Sequence, residues 1–167
     1  GSIIFAVSEA VRRGVPVVLD LCGVSPDLPL ESLRRADVVI VDADTAEMLT
    51  GTLPSGEQSG LRVSGELERR ISDTKGIFLS DNKYHEMLLP FDVSEVDRSG
   101  ADDSFISALT YDYATRVKAG GRDIGHACTY AALAKAWTRA TKGLIASLPT
   151  DSDLRAFAEA NNVGFKF

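Results

Sequence analysis

The chain has 167 residues, 44% of them hydrophobic and 25% charged, with 14 Gly and 6 Pro. That composition excludes collagen-like, low-complexity and largely disordered chains and suffices for one domain, or one large piece of a domain, spanning 1–167. Eighteen Lys and Arg against 24 Asp and Glu leave a formal net charge of -6, the wrong sign for neutralising many phosphates, so no direct nucleic-acid partner is expected.

From Ile3 to Arg13 apolar residues recur at helical spacing around Ile4, Val7 and Val11, and Gly14 is placed to stop the helix. Val15 to Asp20 is a short apolar run ending in a carboxylate, which reads as a buried parallel strand. After a Gly- and Pro-bearing loop and a single turn predicted at Glu31 to Arg35, Ala36 to Val41 reads as the second strand. Asp42 and Asp44 are candidate caps for a helix through Thr45 to Leu49 that ends at Gly51. Thr52 to Gly65, rich in Gly and Ser, is predicted to be a flexible surface connection, with helix resuming at Glu66 to Ile71. Gly76 to Ser80 reads as a third strand, paired across the turn residues Asp81 to Lys83 with Tyr84 to Leu89. Two long helices follow, Asp102 to Lys118 and Asp123 to Arg139, broken by Gly120 and Gly121; the last, Asp151 to Ala160, has Asp151 or Ser152 as its cap.

Strands alternating with helices imply an α/β fold with a mainly parallel sheet, and such sheets place ligands beyond the carboxyl ends of their strands. Asp20, Asp42, Ser80 and the segment Asp97 to Asp103 are therefore the candidates. In that last segment Ser99, Gly100 and Ala101 are small enough for backbone to approach a ligand. A helix starting there offers unpaired N–H groups and the positive end of its dipole to an anion. Asp103 at the same place suits accepting a proton from a hydroxyl that attacks a phosphoryl group; by spacing alone, Asp102 and Asp103 serve equally well as helix caps.

The run Asp97-Arg98-Ser99-Gly100-Ala101-Asp102-Asp103-Ser104-Phe105 resembles the D-T-T-G-A-G-D-S-F signature of the ribokinase-like (pfkB) carbohydrate kinases, fructokinases most of all. Ala36 to Gly51 is similar to that family's A-D-x-x-x-x-N/S-x-x-E-x-x-x-L-T-G segment at Ala36, Asp37, Leu49, Thr50 and Gly51, and Lys142 to Thr150 is similar to a K-G-A-I-P-A-L-P-T ending. The resemblance implies a three-layer ribokinase-like fold and transfer of the ATP γ-phosphoryl group, with Mg2+, to a sugar hydroxyl. It implies Asp103 as general base and the amides of Gly100, Ala101 and Asp102 as an anion hole. Nucleotide would meet Asp42, Ser80, Ser99, Ala132, Lys142 and Gly143, and a K+ loop would involve Asp97 and Ser147 with Gly143.

Departures from the pattern are specific. Asp102 stands where the family has Gly, and a carboxylate about 5 Å from a phosphate is repelled by about 3 kcal/mol per charge pair at an effective dielectric near 20, so Asp102 must point away. Thr45 replaces the Glu of N/S-x-x-E, and Phe78 to Lys83 lacks both glycines of the nucleotide loop T-x-G-x-x-G. Family members are about twice this long, so the first strands, the lid and most sugar contacts are expected to be absent. These residues alone are expected to be inactive and to pair with the missing N-terminal half or a second copy. Gly1-Ser2 reads as a cloning remnant, and the passage into Ile3 as a chain that starts inside a larger structure. The eroded motifs support an alternative, a degenerate fructokinase-like scaffold of the plastid transcription machinery.

The remaining landmarks read as structural. Cys22 and Cys128 lack metal-site spacing and are expected as small buried hydrophobes in a reducing compartment, the cytoplasm, with the plastid as alternative. His85 and His126 have no third ligand nearby in sequence, and Trp137 reads as packing. No apolar run reaches the roughly 20 residues of a membrane span, and the start of the chain lacks signal-peptide character, so no membrane partner is expected.

Overall fold

Residues 1–25, 27, 29, 36–55, 57–70, 76–79, 93–121 and 123–167 are described by a computed structural model. They belong to two compact units, Gly1–Tyr84 and His85–Phe167, each taken by itself here.

The first unit runs α1 (Ser2–Arg12), β1 (Val18–Asp20), β2 (Val38–Val41), α2 (Ala43–Thr50), α3 (Glu57–Arg70) and β3 (Gly76–Leu79). The three strands form one parallel sheet in the order β1-β2-β3, with Val18 opposite Val38 and Val38 opposite Gly76. All four residues of the central strand β2 are buried, as an apolar run in a parallel sheet requires. Val39 and Val41 pack with Leu19, Leu21, Ala46 and Leu49, and Val7 of α1 joins the same core. The Asp37 carboxylate accepts the Val17 amide at 2.8 Å and closes the loop edge of the β1–β2 pair. Caps define α2 as its sequence suggests. Asp42 accepts the Thr45 amide at 2.7 Å, and Gly51 ends the helix at φ +73°, a left-handed conformation that favours glycine.

The Gly- and Ser-rich connection expected at Thr52 to Gly65 is instead mostly helix, since α3 begins at Glu57. Its Gly60, Val63 and Leu67 are buried on one stripe, and Val63 and Leu67 enter the core around β2. Burial of that stripe outweighs the weak intrinsic helix preference of Ser and Gly. Two further expectations, a turn at 31–35 and a strand at 84–89, lie outside the described residues, as does His85.

The second unit contains α4 (Ala101–Lys118), α5 (Ile124–Ala140) and α6 (Asp151–Ala160). Alanines at 127, 131, 132, 134 and 136 are buried along α5, and their small side chains let neighbouring backbone approach closely. Phe105, Leu109 and Tyr113 form the buried face of α4. Tyr130, Leu133 and Ala134 pack with Leu154 and Ala158 of α6, with Trp137 edge-on to Phe157 at 5.9 Å. The α6 cap is Thr150 rather than Asp151 or Ser152. The Thr150 hydroxyl accepts the Asp153 amide at 3.3 Å, while the Asp153 carboxylate accepts the Thr150 amide at 2.8 Å. His126 is a packing residue: its Nδ1 lies 2.9 Å from Asp112 and its ring 4.3 Å from that of Phe165. Of the two cysteines, Cys128 is buried and Cys22 only half-buried. Among the described residues no helix is long and apolar enough to cross a membrane.

Candidate functional site

The loop before α4 is fixed to the far end of α5. The amides of Val96 and Asp97 both donate to the Arg139 carbonyl, at 2.8 and 3.2 Å. Asp97 then turns its carboxylate inward: Oδ1 accepts the Ser99 amide at 2.9 Å and Oδ2 accepts the Gly143 amide at 3.1 Å. The amide and hydroxyl of Ser99, followed by the amide of Gly143, hold the Asp97 carboxyl below its ordinary pKa. One side chain thus ties the approach to α4 to the loop after α5, bringing Asp97, Ser99 and Gly143 together.

Gly100 opens α4 at φ +74°, and a Cβ there would lie 2.7 Å from Leu144 Cδ1. The left-handed conformation calls for glycine at this point. Having no side chain, Gly100 offers the helix no side-chain cap. The Ala101 amide donates to the Arg98 carbonyl at 3.1 Å and the Ser104 amide to the Gly100 carbonyl at 2.8 Å. The amides of Gly100, Asp102 and Asp103 make no hydrogen bond among the described residues. Of the expected anion hole, Gly100 and Asp102 therefore have open N–H groups and Ala101 is engaged within its own turn. Asp103 is exposed in the first turn beside them.

Asp102 also lies in this turn, and its side chain is 72% exposed, with Oδ1 2.5 Å from Lys135 Nζ of α5. The Lys135 side chain is only 6% exposed and its ammonium sits 6.0 Å from the centre of the Phe105 ring. Sequence reading missed Lys135. Its signal is a lone cation in the alanine-rich run of α5, 33 residues from its partner. Ala132 is buried on α5 and Lys142 is exposed. Ser147 is fully buried; its hydroxyl donates to the Leu144 carbonyl at 3.0 Å and its own carbonyl lies 3.1 Å from the Thr138 hydroxyl. The Ser147 hydroxyl is thus turned to Leu144, and each Asp97 oxygen accepts one amide.

In the first unit the carboxyl ends of β1 and β2 bring Asp20, Cys22, Asp42 and Thr45 together. Asp20 accepts the Cys22 amide at 2.9 Å, and the Thr45 hydroxyl accepts the Gly23 amide at 3.0 Å. Burial first, then the Asp20 carboxylate, raises the Cys22 thiol well above its ordinary pKa, which disfavours the reactive thiolate. Asp42 is half-buried and caps α2. Thr45, which stands where the resemblance implies Glu, instead pins the turn after β1. No three His, Cys, Asp or Glu side chains converge on a possible metal position among the described residues. Ser80 lies outside the described residues.

The chain has part of the ribokinase-like α/β fold, as comparison with solved structures shows. The chain superposes on ribokinase from Giardia lamblia with a TM-score of 0.75 at 15% identity, covering 95% of this chain and 55% of that one. It matches Arabidopsis thaliana ribokinase complexed with ribose and ATP (TM-score 0.69, 18% identity, 98% and 52% covered). Fructokinase with bound ATP from Xylella fastidiosa matches similarly (0.67, 18%, 96% and 56%). Among curated proteins, the bifunctional ribokinase/ribose-5-phosphate isomerase A of Fructilactobacillus sanfranciscensis is 28% identical over 156 residues, 89% of this chain and 28% of that protein. No protein-family model matches. The chain thus spans about half the length of the solved kinases it resembles.

Proposed function

We propose that this chain is the nucleotide-binding and catalytic-base portion of an ATP-dependent carbohydrate kinase. The observation that carries the reading is the start of α4, where the open amides of Gly100, Asp102 and Asp103 adjoin the exposed Asp103 carboxylate. The ribokinase-like fold and the ATP bound in two of the solved kinases it resembles support it.

In this reading the sugar hydroxyl gives its proton to Asp103 as its oxygen attacks the γ-phosphorus. The bond to the β–γ bridging oxygen breaks and ADP leaves. Amides fixed by Gly100 and by the Asp97 crosslink hold the γ-phosphoryl oxygens without needing to reorganise as charge shifts. Adenine lies toward Ala132 and the Lys142-Gly143 loop. Ser99 contributes from the turn before α4. Mg2+ arriving on the phosphates would neutralise their charge. Fructose and ribose are the first sugars to test, and a reducing cytoplasm is the setting assumed.

A second reading is favoured by the engaged Ala101 amide and by Thr45 being tied to Gly23: a kinase-like scaffold, such as one serving plastid transcription, that no longer binds ATP. ATP titration and sugar-dependent ADP release on the full-length polypeptide decide between them. The kinase reading expects Asp103→Asn to lower kcat at least about a hundredfold while ATP affinity changes little. Absence of ATP binding by the unsubstituted protein overturns it in favour of the scaffold.

A further inference from the structure

We propose that Lys135 is a positioning residue that neutralises Asp102 and holds its carboxylate away from the phosphate cradle at the start of α4; this rests on the kinase reading above. Three carboxylates crowd that turn. Asp97 is turned onto the amides of Ser99 and Gly143, and Asp103 is exposed. Asp102 is the difficulty, because its own amide is one of the open N–H groups while its carboxylate would repel the anion those groups attract.

The geometry gives that carboxylate a fixed direction. Lys135 runs along the buried alanine-rich face of α5, beside Phe105, and presents its ammonium 2.5 Å from Asp102 Oδ1. The pair is lopsided, a buried lysine reaching for a carboxylate that is itself 72% exposed. Solvent screens the exposed end of the pair, while the buried ammonium depends on the carboxylate for compensation. At the helix start the pair cancels one negative charge and leaves the open amides and helix dipole to dominate.

The test measures ATP, ADP and AMP binding calorimetrically for four forms of the full-length polypeptide: unsubstituted, Lys135→Met, Asp102→Gly, and both together. Lys135→Met is expected to weaken ATP binding about tenfold, ADP less and AMP least, with the loss shrinking in high salt. Adding Asp102→Gly to it should recover most of that loss, and Asp102→Gly alone should tighten ATP binding severalfold. Unchanged ATP affinity in Lys135→Met overturns the proposal, as does an equal loss for all three nucleotides, which would mark a packing role. Where Lys135→Met fails to fold, Asp102→Gly decides alone, and weaker ATP binding in it overturns the proposal. If the unsubstituted full-length polypeptide fails to bind ATP, the kinase reading falls and this inference with it. Binding with a silent Lys135→Met overturns this inference alone.

Discussion

The starts of α2 and α4 differ in one atom-level feature. At α2 the helix is closed by its own sequence, with Asp42 accepting the Thr45 amide at 2.7 Å. At α4 the capping position is Gly100, which has no side chain, and the first-turn amides of Asp102 and Asp103 make no hydrogen bond among the described residues. A capped helix start is satisfied and stable; an uncapped one keeps unfulfilled hydrogen-bonding capacity that an anion can meet. The α2 start therefore serves the fold, and the α4 start is the place where fold stability gives way to binding.

That contrast can be broken most severely at the carboxylates beside each start. Asp44, in the first turn of α2, is exposed, as is Asp103 in the first turn of α4. Against the loss of at least about a hundredfold in kcat expected for Asp103→Asn, Asp44→Asn should leave turnover within about twofold. Equal losses at both positions, in the same ADP-release assay, would abolish the distinction between the two helix starts.

Next in size is Gly100→Ala. The new Cβ would meet Leu144 Cδ1 at 2.7 Å in a backbone at φ +74°. Leu144 is an exposed, flexible side chain and can shift, so the main loss is conformational, about 1–2 kcal/mol of stability by urea unfolding. Asp42→Ala removes a real cap and should lower stability by about 1 kcal/mol, read in the same experiment. If Asp42→Ala proves neutral, α2 is no more closed than α4.

Much of this was legible from residue order. Asp42 and Gly51 bracket α2 because a cap and a left-handed stop are local signals, and the apolar runs of β1 and β2 need only a sheet to join. The start of α4 was legible only to within a residue or two, since spacing alone left Asp102 and Asp103 equally good as caps. Most of what failed was non-local. Helix α3 depends on Gly60, Val63 and Leu67 meeting a core formed by distant strands, which Ser and Gly propensities cannot report. One miss was local: the α6 cap is Thr150, whose reciprocal bonding with Asp153 three residues on outweighs an acidic residue one position later. The Asp102–Lys135 pair joins two helices, and no spacing rule within one helix reveals it.

The smallest expected effect sharpens how the α4 start is held open. Asp97 anchors the turn through its ionised form, since amide and hydroxyl donors from Ser99 and the Gly143 amide lower its pKa below the ordinary 3.8. A carboxyl with a lowered folded-state pKa contributes stability that is present above the unfolded value and disappears as pH falls through the folded one. Asp97→Asn keeps the shape and one acceptor oxygen but removes the charge. Urea midpoints of the two forms should therefore differ by a constant small margin from neutral pH down to about pH 4 and converge in stronger acid. A margin that persists in strong acid would mean that side-chain shape, not charge, organises the turn. The donors on Asp97 would then have no part in presenting the open amides of Gly100, Asp102 and Asp103 to a phosphate.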